Sequence, residues 1–324
     1  MNVKKEHLIL VALILVLSLY LILHKRDKSH YRLPEFPKVM KKEISKVEIS
    51  NQDKTIVLNR KDNSWHIVPQ GYPADANQVE SMLDVIEKLS LTALVSESKN
   101  YKRYNLDEGN KLIVEAWSGD TLRREFEIGK AATTFQHTFV KLSEDHRVYQ
   151  ARGNFRSKFA VSVDNLRDKT VLAFDAEEIQ EIRLSKGEQS IVFTRKQVPD
   201  EITSSEEEKS QSSQAPTEKA TWRSTDGKRA DESQLNRMLT TLSNLRCEKY
   251  LDDRKKEELS DPIYTIELKG VQEYSLSVYA KIDESSNNYP TTSSDNDYPF
   301  LLPSRQVNDI MKNPEEFLEK TSEP

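Results

Sequence analysis

ADANQVESML, residues 74–83, returns as ADESQLNRML at residues 230–239, and this pair of stretches determines how the rest of the chain is read. In the first copy Val79, Met82, Leu83, Ile86 and Leu89 follow the i, i+3, i+4, i+7, i+10 spacing that gathers side chains on one helical face. Leu235, Met238, Leu239, Leu242 and Leu245 repeat that spacing, each displaced by 156 positions (230 against 74). Each copy opens with Asp-x-x-Gln, Asp75 to Gln78 and Asp231 to Gln234. An Asp side chain there accepts hydrogen bonds from first-turn amides that have no helical partner. The spacing predicts two amphipathic helices with the same cap, and hence a duplicated module.

The similarity continues upstream. EISKVEIS at 43–50 matches EIQEIRLS at 178–185, with Ile44, Val47 and Ile49 answered by Ile179, Ile182 and Leu184. A second strand follows in each copy, TIVLNR at 55–60 and SIVFTRK at 190–196, and then a third around Trp65 or Trp222. The displacement is 135 for the first strands (178 against 43) and 156 for the helices, because the second copy carries the polar segment 197–219 between its second and third strands. With little to bury, that segment reads as a disordered hairpin insertion.

Downstream of the helices, KLIVEAW, TLRREFEIG, FQHTFVKL and RVYQA in the first copy, and YTIELKG and YSLSVYAK in the second, read as antiparallel strands. The low-complexity stretch 283–297 reads as a second disordered insertion. The fold class expected is α+β: a single N-terminal transmembrane helix, then two tandem modules, each an antiparallel sheet with one amphipathic helix. The expected boundaries are an anchor with flanks at 1–30, a first module at 31–152, a connection at 153–176 too apolar for a free tether, and a second module at 177–324.

The anchor expectation rests on Leu8 to Leu23, sixteen residues without a charge in a chain that is 31% charged overall. At about 1.5 Å per residue this run reaches roughly 24 Å, near the bilayer core once its flanks are counted. No small-residue cleavage pattern follows it. Lys4, Lys5 and the amino terminus on one side nearly balance Lys25, Arg26 and Lys28 on the other, so charge bias does not set the orientation.

The chemistry-bearing residues are sparse. A net charge of −5 without a basic stripe argues against nucleic-acid binding; the clusters Arg152, Arg156, Lys158 and Lys102, Arg103 read as solvated faces. Cys247 is the only cysteine and stands at the position of Leu91, a small core residue. With eight glycines there is no phosphate loop and no nucleophile elbow. His30, His66, His137 and His146 show no zinc spacing, and Asp295 and Asp297 lack a calcium-loop pattern. Trp65 and Trp222, being equivalent, read as core. Accordingly no catalytic, cofactor-binding or metal-binding residue is assigned, no cofactor is expected, and the chain is read as a non-enzyme.

Within 155–185, the run NLRDKTVLAFDAEEIQEIRL at 165–184, together with KVEIS, NSWHIV, YPADANQVESMLDVIEKLSL, KRYNLDE and FEIGK, resembles a bacterial domain-of-unknown-function family, number 4340. Tyr104-Asn105-Leu106 departs from that family's usual Tyr-Gly-Leu. The resemblance implies an inner-membrane, single-pass envelope protein with its bulk on the periplasmic side, tandem modules, and partners among the permease and ATPase subunits of an ABC transporter. It carries no catalytic residues. Within the conspicuous Arg167-Asp168 step, Asp168 is expected to turn the chain and Arg167 or Lys169 to pair with a carboxylate. The function expected is a membrane-anchored accessory or scaffold protein of a transport complex. Two alternatives are an envelope polymer- or lipid-binding module using Tyr289, Tyr298 or Phe300, and a hydrolase built on a carboxylate pair.

Overall fold

A computed structural model of the chain describes residues 5–24, 31–198 and 219–319. The chain divides into two compact units, Met1–Arg167 and Asp168–Pro324.

Unit 1 opens with helix α1, Lys5–His24, whose described large apolar side chains from Leu10 to Tyr20 are 51% to 67% exposed. Among the described residues no helix is long and apolar enough to cross a membrane. The described side chains of α1 span 10–20, and the uncharged run of the sequence extends beyond them on both sides. Four strands follow, β1 (Lys46–Ser50), β2 (Thr55–Lys61), β3 (Ser64–Val68) and β4 (Tyr72–Pro73), then helix α2 (Ala76–Lys88). Next come β5 (Leu91–Ser96), β6 (Leu112–Ser118), β7 (Thr121–Ala131), β8 (His137–Leu142), β9 (Val148–Arg152) and the short turns α3 (Arg156–Phe159) and α4 (Val163–Leu166). The strands form one sheet in the order β4-β3-β2-β1-β6-β7-β8-β9-β5. Alternation puts Val47 and Ile49 inward while Lys46, Glu48 and Ser50 face out. On the inward face α2 buries Val79, Met82, Leu83 and Ile86, each worth about 1.5–3 kcal/mol of transfer free energy before entropy is counted.

Unit 2 contains β10 (Thr170–Ala173), β11 (Glu181–Lys186), β12 (Gln189–Val198), β13 (Lys219–Ser224), helix α5 (Glu232–Leu242), β14 (Asn244–Arg246) and β15 (Lys249–Tyr250). It continues with β16 (Tyr264–Lys269), β17 (Glu273–Val278), β18 (Asn288–Ser293), β19 (Phe300–Pro303), helix α6 (Ser304–Ile310) and a 3-10 turn at Pro314–Phe317. Its main sheet runs β13-β12-β11-β16-β17-β18-β19-β15. This is the order of unit 1 strand for strand, with an isolated bridge between Arg223 and Arg229 where unit 1 has β4. Helix α5 buries Leu235, Met238, Leu239 and Leu242, and Cys247 is buried in the same core. A separate pair, β10 with β14, completes the unit.

The helix caps form as the sequence predicts. The Asp75 carboxylate accepts from the amides of Asn77 and Gln78, and that of Asp231 from the amide of Gln234. In a capping box the Gln side chain turns back to the cap's own amide. Here Gln78 donates instead to the carbonyl of Asn165 at 2.8 Å, and Gln234 to that of Glu316 at 3.0 Å.

Two expectations are corrected. Stretch 153–176 is not a connection between modules: Phe155, Phe159 and Leu166 belong to the unit 1 core, and Val171 and Leu172 to the unit 2 core. Apolar residues placed at these positions are taken up by the nearest core rather than left spanning two. Stretch 283–297 is not a disordered insertion, because β18 lies within it, paired to β17 and β19. Thr291 and Ser293 are buried there, and the Ser293 hydroxyl donates to the carbonyl of Val171. Hydroxyl residues read as polar filler in fact satisfy buried backbone groups inside the sheet. Of 197–219, β12 and β13 remain paired out to Val198 and Lys219, and 199–218 lie outside the described residues. One long helix per module is present as expected, with α3, α4 and α6 in addition.

Candidate functional site

The histidines do not form a site. His66 is in β3 and His137 in β8, five strand spacings apart in the sheet order, or roughly 24 Å at the usual spacing. His146 lends its carbonyl to the hydroxyl of Tyr101, and His30 lies outside the described residues. Among the described residues no cluster of three or more His, Cys, Asp or Glu side chains is placed to hold a metal. Asp295 instead accepts from the hydroxyl of Ser294 and the amide of Ala173.

Asp168 turns the chain as its residue type suggests: its carboxylate accepts from the amide of Thr170 at 2.9 Å and lies 3.8 Å from Arg246. Arg167 is buried, its guanidinium 3.7 Å above the ring of Tyr72, a cation–π stack that sequence spacing does not reveal. Trp65 and Trp222 are both core residues. Of the aromatics singled out for polymer binding, Phe300 is fully buried in sheet pairing with β18, Tyr289 is half-buried, and Tyr298 is at the surface.

A row of carboxylates does exist. Glu48 of β1 is directly opposite Glu115 of β6, which is directly opposite Glu125 of β7. Partial burial, then a hydrogen bond with Glu48, then the charges of Glu48 and Glu125 raise the Glu115 carboxyl above the usual carboxylate range. The row lies on the outward face of the sheet, opposite the face that α2 covers.

Two arginines that sequence reasoning passed over or assigned to solvent are each held by three backbone carbonyls in unit 1. Arg124 of β7 is 5% exposed. Its guanidinium donates to the carbonyls of Ile86 and Glu87 at the end of α2 and, at 2.5 Å, to that of Pro37. It also lies 5.0 Å from the ring of Phe36. It therefore caps the C-terminus of α2, where the helix dipole favours a cation, and fastens the segment 31–38 that follows the N-terminal region. The same segment and Leu89 to Thr92 line a cleft of about 1190 Å³.

Arg156, read from sequence as part of a solvated basic cluster, is partly buried at the start of α3. It donates to the carbonyls of Ile128 at 2.7 Å, Gly129 at 3.1 Å and Asn110 at 2.5 Å. Burial lowers its proton affinity. Arg156 lines a groove of about 840 Å³ together with Ile49, Ile56, Leu112 and Phe159, and Lys54 and Asp164 line it too.

A protein of two α+β units, each a long antiparallel sheet carrying one capped amphipathic helix, is the class that this geometry defines. Within that class, residues 65–262 match the family described as Domain of unknown function (DUF4340), and the chain belongs to it. The match runs from Trp65 in β3 to Pro262 just before β16, across parts of both units. No curated protein and no solved structure matches the chain.

Proposed function

We propose that this protein is a membrane-anchored accessory or scaffold subunit, held in the inner membrane by α1 with its two units on the periplasmic side, and associated with an ABC-type transport complex. The observation that carries the reading is α1 itself. It combines a charge-free run from Leu8 to Leu23 with large apolar side chains that no protein core covers. In water such a surface is costly at about 25 cal/mol per Å², and a bilayer removes that cost. Supporting it, Arg124 fastens the segment 31–38 to α2 and β7, which suits a chain that must hold its module to a tether. The duplicated sheets supply surface for partner contact.

The test is cross-linking of the tagged full-length protein in membranes, mild solubilisation, and mass spectrometry of what copurifies. A permease and its ATPase in stoichiometric amounts are expected. Recovery of the protein alone would overturn the transport association, and its appearance in the soluble fraction would overturn the anchor.

A further inference from the structure

The two units share a fold, so a position where one is open and the other closed is informative. The groove at the end of the unit 1 sheet is such a position. Its equivalent in unit 2 follows from the pairing: Leu112 opens β6 as Tyr264 opens β16, and Asn51 follows β1 where Lys186 ends β11. Ser162 caps α4 as Asn313 caps the 3-10 turn. Ala160 and Met311 close α3 and α6 in the same conformation, with amides bonded to the carbonyls of Arg156 and Val307 respectively. Arg156 therefore answers to Val307.

In unit 2 this place is filled and latched. Tyr264 and Val307 are buried there, and Lys186 donates across to the Asn313 side chain at 2.6 Å. Tyr264 fills the space so fully that its hydroxyl is buried without a hydrogen-bond partner. In unit 1 the filling ring and the latch are both missing. Leu112 is smaller than Tyr264. Asn51 and Ser162 spend their side chains on local turns, accepting from the amides of Lys54 and Asn165 rather than reaching across. A buried valine is replaced by an arginine whose side chain hydrogen-bonds to carbonyl oxygens and, among the described residues, to no carboxylate. Its positive charge is solvated by dipoles and is not neutralised.

We propose that the unit 1 groove binds a single-chain amphiphile with an anionic head, the head at Arg156 and the chain along Leu112, Ile49, Ile56 and Phe159. The volume of about 840 Å³ falls in the range of small-molecule sites. Apolar side chains lining one groove with a guanidinium held by carbonyl oxygens match an acyl chain ending in a carboxylate or phosphate. Lys54 and Asp164 also line the groove, so its three charged side chains sum to one positive charge. The site does not depend on the transport partner.

The test uses the full chain in non-ionic detergent with a palmitate analogue carrying a photoreactive diazirine in its chain, and maps cross-linked peptides by mass spectrometry. Two variants copy unit 2, Leu112→Tyr to fill the floor and Asn51→Lys at the rim, and circular dichroism melting establishes that each is folded. Labelling of peptides containing 49–56 and 159–165 is expected, competed by dodecyl phosphate but not by dodecanol or inorganic phosphate, and falling roughly tenfold in Leu112→Tyr, the scale of about two methylenes displaced from burial. Labelling confined to α1, or unchanged in a folded Leu112→Tyr protein, overturns the site. Competition by dodecanol as strong as by dodecyl phosphate overturns the role of the anionic head. Competition by inorganic phosphate at equal concentration overturns the amphiphile in favour of a small-anion site.

Discussion

The amide of Asp231 donates to the carbonyl of Phe317 at 2.8 Å, and in the other unit the amide of Asp75 donates to that of Leu166 at the same distance. With the Gln78 to Asn165 and Gln234 to Glu316 bonds, the start of each long helix holds the last turn of its own unit. Leu166 and Phe317 are buried beneath that contact, and Ala74 and Ala230 form isolated bridges to Arg167 and Leu318 just beyond it. The repeated unit therefore closes at Arg167 and at Leu318. The Asp-x-x-Gln signature serves two ends of the module at once.

Gln78→Ala is expected to cost about 0.5–1.5 kcal/mol, the net value of one hydrogen bond, and Gln234→Ala more, because its side chain also donates to the Asp231 carboxylate and accepts from Lys312. Asp75→Ala and Asp231→Ala should cost about 0.5–2 kcal/mol through the lost cap. Urea denaturation checks the ranking. Hydrogen exchange supplies the sharper readout: the Gln variants should loosen 162–167 or 313–318 in the unit mutated and leave the first turn of its helix protected.

Arg124→Met keeps the length of the side chain and removes the donors to Ile86, Glu87 and Pro37. Hydrogen bonds to a charged group are worth about 1.5–3 kcal/mol each, so the loss should exceed that of a surface substitution and concentrate at 31–38. Limited proteolysis should cut within 31–38 many times faster than in the parent, well before the sheet is attacked.

The Glu48, Glu115, Glu125 row makes a pH prediction. Because the Glu115 carboxyl is raised in the folded state, its contribution to stability is fully present below the unfolded-state carboxylate value and is lost as pH rises through the folded value. Glu115→Gln should therefore stabilise the protein at pH 7 by about 0.2–1 kcal/mol, the scale of a like-charged cross-strand pair. That advantage should vanish as pH falls to about 4. Thermal melts of both proteins from pH 4 to pH 8 check the sign.

Gly129 is a close-approach glycine in β7: a Cβ there would meet the carbonyl oxygen of Tyr104 and the Leu106 side chain. Gly129→Ala is expected to cost about 1–3 kcal/mol as overpacking, against a small gain or loss at an open surface position. Equilibrium denaturation of the variant measures it, and Gly119→Ala, at a turn with open space and φ +57°, separates steric clash from backbone strain.

Local signals carried most of what the sequence disclosed. The helix faces from Val79 to Leu89 and from Leu235 to Leu245 repeat at 3.6, and a cap needs only the residue three places on, so both helices and their Asp caps were legible. The Ile44, Val47, Ile49 and Ile179, Ile182, Leu184 sets were legible because one face of each strand is buried. Strand β5 was not legible, since all six of its residues are half-buried and no alternation exists to read. Nor was β18, whose Thr291 and Ser293 look like linker residues until the sheet supplies neighbours on both sides.

The sequence by itself determined that the chain is duplicated, that each copy is strands followed by a capped amphipathic helix, and that an uncharged run stands at its start, because these depend on periodicity and on neighbours a few residues apart. Only the tertiary structure decided where each unit ends, what Gln78 and Gln234 do, and that Arg156 lines a groove in one unit while Val307 fills its counterpart in the other. Those outcomes depend on contacts between residues 27 to 93 positions apart, and no short-range pattern encodes which carbonyl a donor will meet once the core has closed.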